Sequence, residues 1–210
     1  MNNRLIIFTR FPEPGTTKTR MIPALGEVGA ADLQREMTEY TLETVRPLTG
    51  DELELEIRYA GGDEESMTAW LGGDLSYTPQ GEGDLGQRME RAFMEGFKAG
   101  CRKVVIIGTD CPGLTPRHLN DAFEHLSDTN VVLGPTYDGG YYLIGAKQPH
   151  PNLFKEIHWS TSAVLEQTLN AAKAEKLHYR LMARLRDIDT EDDLILAKKE
   201  CGFPRQLKTA

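Results

Sequence analysis

Residues 103–114 read KVVIIGTDCPGL, and the predicted fold class follows from the pattern of these twelve residues. Its first half is apolar and β-branched on both faces of an extended chain, which is typical of a strand buried within a parallel sheet. Its second half breaks at Gly108 and continues through Asp110 into a turn. Thr115 and Pro116 then suit the cap and the first turn of a helix that runs to Leu126. The stretch therefore predicts a buried strand followed by a crossover helix.

The same strand-to-helix alternation extends through the rest of the chain. Residues 5–8 form a short apolar run typical of a buried strand, and residues 53–57 alternate between apolar and charged side chains. Apolar residues return at helical spacing after two loops, at 9–26 and 81–86. Further strands are predicted at 130–133, 141–144 and 177–182, and further helices at 161–175 and 190–200. We therefore expect an α/β fold, a three-layer α/β/α sandwich with a mostly parallel sheet, formed as a single domain by residues 1–210.

The charge balance excludes some classes of partner. The chain has 24 Lys and Arg residues against 32 Asp and Glu residues, a formal net charge of −8. A nucleic-acid binder, which needs a basic surface, is therefore not expected. The three cysteines lack a Cys-x-x-Cys spacing, which argues against a disulfide framework or a zinc site. No apolar run approaches the ~20 residues of a membrane span, and the N-terminus leads directly into a strand pattern, so we expect a cytoplasmic protein without a membrane span.

The loop after the first strand carries an unusual concentration of positive charge. It brings together Arg10, Lys18 and Arg20, and Gly15 allows the backbone to approach a ligand closely. Cations beside free backbone amides suit phosphate oxygens, and parallel sheets bind ligands beyond the carboxyl ends of their strands. The loop lacks the second glycine of a Walker A motif. It predicts a phosphate-binding segment, and the alternative is a solvated surface loop.

Asp110 lies directly after the central strand, where a divalent ion could bridge the protein and phosphates. Mg²⁺ and Mn²⁺ prefer such hard oxygen ligands. The alternative is that Asp110 only caps the turn before Pro112 and Gly113. Its position at the carboxyl end of the strand favours a functional role.

Three further segments allow both a structural and a functional interpretation. Asp138 begins an Asp-Gly pair between two apolar runs, which is the pattern of a hairpin turn. Asp189 suits a helix N-cap, and the acids after it suit the helix dipole, but it could also supply a second metal ligand. Gly83 and Asp84 precede a helix and could either shape a ribose or base pocket or simply lead into that helix.

Taken together, these segments resemble a family of bacterial glycosyltransferase-like proteins with the GT-A (nucleotide-diphospho-sugar transferase) fold. They look like the group known as selenodomain-associated or arsenosugar-pathway transferases. The motifs that carry the resemblance run through nearly the whole chain in order: Pro12-Glu13-Pro14-Gly15-x-x-Lys18-Thr19-Arg20, Gly81-x-Gly83-Asp84-Leu85-Gly86-x-Arg88-Met89, Gly108-Thr109-Asp110-Cys111-Pro112-Gly113-Leu114, Gly134-Pro135-x-x-Asp138-Gly139-Gly140-Tyr141 and Asp187-Ile188-Asp189-Thr190-x-x-Asp193-Leu194.

The resemblance implies that the loop after the first strand binds a nucleotide. It also implies that Asp110 stands where related enzymes place a metal-binding aspartate. This sequence has Thr-Asp-Cys at that point and not Asp-x-Asp, so Asp189, or Asp138, would have to supply the second carboxylate.

The predicted function is metal-assisted displacement at a nucleotide-linked centre. Lys18 and Arg20 would hold phosphates, and Asp110 with Asp189 would hold Mg²⁺ or Mn²⁺. Asp138 would orient the acceptor or act as a base. The resemblance favours a glycosyltransferase that moves a sugar from a nucleotide-diphospho-sugar to a small-molecule acceptor. The alternatives are a nucleotidyltransferase that uses a nucleoside triphosphate and releases diphosphate, which the three-cation loop favours, and a non-catalytic nucleotide-binding protein. The sequence does not predict the oligomeric state.

Overall fold

The apolar run at residues 103–107 forms the buried strand that the sequence predicts, with all four residues from Val104 to Ile107 buried. A computed structural model describes residues 2–205 of the chain. The strands are β1 (Asn3–Arg10), β2 (Leu53–Ala60), β3 (Ser76–Pro79), β4 (Val104–Ile107), β5 (Val131–Pro135), β6 (Tyr141–Ala146) and β7 (Tyr179–Leu181). The helices are α1 (Ile22–Val45), α2 (Glu64–Leu71), α3 (Leu85–Lys98), α4 (Pro116–His125), α5 (Val164–Ala174) and α6 (Glu191–Cys201), and short 3-10 turns cover Thr19–Met21, Arg46–Leu48 and Pro151–Phe154.

All seven strands belong to one sheet in the order β3-β2-β1-β4-β6-β5-β7. Every neighbouring pair is parallel except those of β6, which is antiparallel to both β4 and β5. The five residues 136–140 that join β5 to β6 are too few for a crossover, so β6 must return beside β5 as a hairpin. The prediction of an α/β sandwich with a mostly parallel sheet is confirmed.

Alternation along the strands divides the core between the two faces of the sheet, because successive side chains point to opposite sides. Leu5 and Ile7 of β1 pack with one apolar cluster, and Ile6 and Phe8 pack with the other. The first cluster is covered by α2, α4 and the end of α1, and the second by α3 and α5. Burying each such leucine or isoleucine stabilises the fold by roughly 1.5–3 kcal/mol.

Helix α1 begins earlier than the sequence pattern indicates. It starts at Ile22, inside the segment predicted as a loop, because Pro23 fits the first turn of a helix. Gly26, with φ 71° and ψ 171°, interrupts the helix one turn later. Within residues 2–205, the structure contains no helix that is both long and apolar enough to cross a membrane.

The segment between β7 and α6 returns to the carboxyl ends of β4 and β5. The amide of Leu185 donates to the carbonyl of Pro135 at 3.0 Å, and the amide of Ile188 donates to the carbonyl of Asp110 at 3.0 Å. Ile188 itself is buried beneath α1 and α6. These backbone hydrogen bonds place Asp187 and Asp189, on either side of Ile188, at the carboxyl end of β4, beside the loop that follows this strand.

Candidate active site

A cleft of about 600 Å³ opens at the carboxyl ends of β1 and β4. In the sheet, β2 and β3 lie on one side of β1 and β4 lies on its other side. The strand order therefore reverses between β1 and β4. Such a reversal is the usual ligand site of an open α/β sheet. Six predicted site residues line the cleft: Arg10, Lys18, Arg20, Asp110, Asp138 and Asp189.

Lys18 is bound on three sides within this cleft. Its Nζ atom donates to the carbonyl of Ile188 at 2.6 Å and lies 3.0 Å from Asp110 Oδ1 and 3.5 Å from Asp189 Oδ1. Burial alone would lower the pKa of Lys18, but the two carboxylates outweigh it and raise that pKa above its ordinary value. The lysine is therefore a buried cation between two predicted metal ligands. The Lys18 side chain is only 7% exposed, so the alternative of a solvated surface loop does not hold for this residue.

The backbone of Lys18 adopts an uncommon conformation that directs the chain into the cleft. Its φ of 46° and ψ of 44° lie in the left-handed region, where residues other than glycine are rarely found. The following 3-10 turn carries Arg20, whose Nη1 lies 2.7 Å from Asp189 Oδ2. Arg20 is 66% exposed and Arg10 is also exposed, so both reach the cleft from its solvent side.

Three carboxylates form a cluster opposite this loop. One oxygen from each of Asp138, Asp187 and Asp189 lies within 4.8 Å of the others. Burial, the nearby Asp138 and the further acids Asp189 and Asp193 raise the pKa of Asp187 to about 6. Crowded carboxylates of this kind repel one another, and a bound cation would relieve the repulsion. The structure therefore supplies a hard-oxygen donor set that fits Mg²⁺ or Mn²⁺.

Asp187 was not among the predicted site residues, although the sequence contains a signal for it, the alternation of acidic and apolar residues at positions 187–189. The extended segment Asp187-Ile188-Asp189 turns its central apolar residue inward and both acids toward the cleft. Asp110 is not part of the three-carboxylate cluster. It reaches Asp189 through the shared Lys18 ammonium.

Asp138 is held in place by the hairpin between β5 and β6. Its Oδ1 accepts hydrogen bonds from the Thr136 hydroxyl and from the Gly140 amide. Gly139 has a φ of 92°, and a Cβ at this position would lie 2.2 Å from the carbonyl oxygen of Ser162, so only glycine fits. The predicted hairpin is present, and its turn also places the Asp138 carboxylate in the cleft.

Gly15, Gly83 and Asp84 lie outside the residues that line the cleft. Asp84 caps α3 in a capping box, since Asp84 Oδ1 accepts from the Gln87 amide at 2.9 Å and Gln87 Oε1 accepts from the Asp84 amide at 3.0 Å. This cap accounts for the aspartate as part of the loop that leads into the helix. A nucleotide-binding role for these three residues stays a prediction.

The two roles of Asp84 can be separated by substitution. We expect Asp84→Ala to lower the free energy of unfolding by about 1 kcal/mol, since the cap acceptor is lost. Asp84→Asn retains an acceptor and should cost less. Urea unfolding would measure both variants, with nucleotide affinity measured alongside. A drop in affinity shared by both variants would instead place Asp84 in the nucleotide site.

A fourth cation reaches the cleft from α3. Arg88 Nε donates to the carbonyl of Gly83 at 2.9 Å, and Arg88 Nη1 lies 3.4 Å from Gln80 Oε1. The buried Gln80 amide in turn donates to the carbonyls of Thr9 and Arg58. The loop before α3 is thus tied to β1 and β2 beside the cleft. Arg88 belongs to a motif of the family resemblance, but neither Arg88 nor Gln80 was assigned a role from the sequence.

One family profile matches residues 44–161 of the chain, and that family is described as DUF2064, uncharacterized protein conserved in bacteria. The chain belongs to this family. The DUF2064 chain also matches the crystal structure of a candidate nucleotide-diphospho-sugar transferase from Desulfovibrio desulfuricans G20. The two are 32% identical with a TM-score of 0.90, over 98% of this chain and 92% of that one. No curated protein sequence matches the chain.

More distant structures share the fold of the DUF2064 chain. Rv0371c from Mycobacterium tuberculosis H37Rv, crystallised as a complex with manganese, is 15% identical with a TM-score of 0.55 and covers 95% of this chain and 100% of its own. A CMP:2-keto-3-deoxy-manno-octonic acid synthetase in complex with CTP is 10% identical with a TM-score of 0.54, with the same coverage. The fold is therefore that of nucleotide-diphospho-sugar transferase-like structures.

Proposed function

We propose that this protein is a nucleotide-dependent transferase, and specifically a glycosyltransferase that moves a sugar from a nucleotide-diphospho-sugar to a small-molecule acceptor. The observation that carries the proposal is the meeting of Lys18 and Arg20 with Asp110 and Asp189 in one cleft at the strand reversal. The similarity to a candidate nucleotide-diphospho-sugar transferase supports it. Membership of the selenodomain-associated or arsenosugar-pathway group stays a prediction.

The cleft has the size and the charge for a nucleotide. Its volume of about 600 Å³ lies within the range of roughly 300–1,000 Å³ typical of small-molecule sites. Arg10, at the end of β1, and Lys18 and Arg20, in the segment after it, line the cleft. Charge-assisted hydrogen bonds from such cations to phosphate are among the stronger polar contacts in proteins. A bound diphosphate would compete with Asp110 and Asp189 for the Lys18 ammonium.

The carboxylates fit a divalent cation. Asp187 and Asp189, which belong to the three-carboxylate cluster, would hold it. Asp110 lies outside that cluster and would be a further ligand, across the Lys18 ammonium that it shares with Asp189. The manganese complex of Rv0371c supports Mn²⁺ or Mg²⁺ as the ion. When bound, such an ion would offset the negative charge that develops on the leaving phosphate.

The side chains of this protein supply the rest of the displacement. The acceptor hydroxyl oxygen forms a bond to the anomeric carbon, and the bond from that carbon to the diphosphate oxygen breaks. The nucleoside diphosphate leaves with the electron pair, and Lys18 and Arg20 stabilise its charge. Asp138 takes the proton from the acceptor hydroxyl, and its hydrogen bonds to Thr136 and Gly140 fix its orientation for this role.

Nucleotidyl transfer is the second candidate. In that reaction an acceptor oxygen attacks the α-phosphorus of a nucleoside triphosphate and diphosphate leaves. The three cations of the loop from Arg10 to Arg20 favour a triphosphate, and the CTP complex of a protein with this fold supports the same ligand class.

Equilibrium binding distinguishes these candidates. Calorimetry with nucleoside triphosphates and nucleotide-sugars, with and without Mg²⁺ or Mn²⁺, should show one nucleotide-sugar that binds at least about tenfold more tightly with the metal. Asp187→Asn should reduce this metal dependence, whereas Asp192→Asn, an exposed acid on α6, should leave it unchanged. Tight binding of a triphosphate alone would support nucleotidyl transfer. No binding of either class by the folded protein would refute the site built on Lys18 and Asp110.

A further inference from the structure

The cleft also has apolar lining residues to which the proposed function assigns no role in phosphate or metal binding. They are Leu85, Tyr141, Trp159 and Val164. Leu85 is 44% exposed although it is a large apolar residue at the start of α3. Large apolar side chains that remain open to a cleft indicate contact with a ligand.

The indole of Trp159 lies directly on the first turn of α3. A Cβ placed on Gly86 would lie 2.5 Å from Trp159 Cζ2 and 2.8 Å from both Cε2 and Nε1. The ring therefore rests against the backbone of a glycine, at a distance that any larger residue would prevent. The position of the aromatic ring is set by the absence of a side chain at residue 86.

The loop that carries Trp159 is anchored by α5. His158, the residue before Trp159, contacts Gln167 of α5 twice. The His158 amide donates to Gln167 Oε1 at 2.8 Å, and His158 Nδ1 lies 2.7 Å from Gln167 Nε2. The Thr161 hydroxyl donates to the carbonyl of His158 at 2.7 Å. Because the loop is tied on both sides of Trp159, its ring is positioned before a ligand arrives.

This loop also touches the hairpin that holds Asp138. Ser162 contacts Gly139 closely enough to exclude a side chain there, and the amide of Leu165 donates to the carbonyl of Gly139 at 2.9 Å. The segment from Trp159 to Leu165 thus contacts both the first turn of α3, through Trp159, and the hairpin of the proposed base, through Ser162 and Leu165. Since Trp159 and Asp138 both line the cleft, a group held on the indole would share the cleft with the proposed base.

We infer that Trp159, together with Leu85, forms a platform for the sugar ring of the bound nucleotide-sugar. The inference rests on the proposed function and names its donor-binding surface. A pyranose ring has a face of C–H groups that packs on an indole, while its hydroxyl edge points to polar residues. The anomeric carbon that reacts is part of the transferred sugar, whereas the nucleobase is separated from it by a ribose and a diphosphate. The sugar is therefore the part of the ligand that we place on the Asp138 side of the cleft.

The chain offers a direct probe because it has two tryptophans, Trp70 and Trp159. Trp70 lies outside the cleft, where its Nε1 donates to Glu39 at 2.7 Å and its ring meets Phe11 edge to face. In Trp70→Phe, all tryptophan emission comes from Trp159. The ligands would be uridine and guanosine diphosphates and their glucose and mannose conjugates, with binding measured independently by calorimetry.

The expected result is a change in Trp159 emission that is larger with the nucleotide-sugar than with the matching diphosphate. In the otherwise unaltered protein, Trp159→Ala should weaken nucleotide-sugar binding about two- to tenfold and leave diphosphate binding unchanged, and Trp159→Phe should retain most of the affinity. Gly86→Ala, which displaces the indole, should reproduce the effect of Trp159→Ala.

Two results would overturn the inference in distinguishable ways. If a nucleotide-sugar binds by calorimetry but changes Trp159 emission no more than the diphosphate does, the platform is refuted and the proposed function stands. If neither ligand binds, the proposed function fails and the platform fails with it. The emission measurement leaves Trp159 in place, so it remains decisive even where Trp159→Ala does not fold.

Discussion

Asp110→Asn should lower turnover by about 100- to 1,000-fold while the chain folds as before. The variant removes a negative charge that lies 3.0 Å from Lys18 Nζ and that we propose as a metal ligand. The fold should persist because the contact of this residue with the C-terminal segment uses its backbone carbonyl, which accepts from Ile188, and not its side chain.

Release of nucleoside diphosphate from the nucleotide-sugar identified by calorimetry would measure this loss. Asp121→Asn is the matched control, since Asp121 lies on α4 outside the cleft and pairs with Arg117 at 3.6 Å. Circular dichroism and a urea midpoint would establish that both variants are folded. Turnover retained by folded Asp110→Asn would refute the central role of this residue.

Lys18→Met should change the affinities for nucleotide and for metal in opposite directions. Loss of charge-assisted hydrogen bonds to phosphate should weaken nucleotide binding about 10- to 100-fold. The same substitution removes the cation that neutralises Asp110 and Asp189, so Mn²⁺ alone should bind more tightly than it binds the unaltered protein.

Calorimetry with nucleotide and with Mn²⁺, each alone, measures the two effects separately. Lys198→Met, at an exposed position on α6, controls for the loss of one positive charge from the protein. Lys18→Arg should keep part of the nucleotide affinity because the charge remains. Unchanged nucleotide affinity in Lys18→Met would show that this lysine serves only to neutralise the acids.

Much of the fold could be predicted because its central elements have strong local patterns. The run from Val104 to Ile107 is apolar on both faces, and the Asp-Gly pair at Asp138 marks a hairpin. Helix α2 and strand β3 were not predicted. Strand β3 has four residues at the sheet edge, none of them buried, so it lacks an apolar pattern. Helix α2 does carry a local signal, since Asp63 accepts from the Ser66 amide as its N-cap.

The site was less accessible to sequence reasoning than the fold. Lys18 and Asp110 follow the ends of β1 and β4, and strand position is sufficient to direct attention to them. The alternation at residues 187–189 indicates that Asp187 and Asp189 share a side, but it does not encode the pairing of Ile188 with Asp110 that brings both acids to the cleft. Asp84 shows the opposite case, because the same residues suit a ligand pocket and a helix cap, and the structure shows the cap.

The reversal of strand order has a practical consequence for protein engineering. Arg10 is the last residue of β1, and Lys18 and Arg20 follow it in the next segment, whereas Asp138 and Trp159 follow β5 and β6 in the other half of the strand order. We therefore expect that specificity for the transferred group can be redesigned at Leu85 and Trp159 without altering the segment that we propose to bind the nucleotide. Such changes should keep Gly86 and Gly139, because a side chain at either position would collide with Trp159 or Ser162.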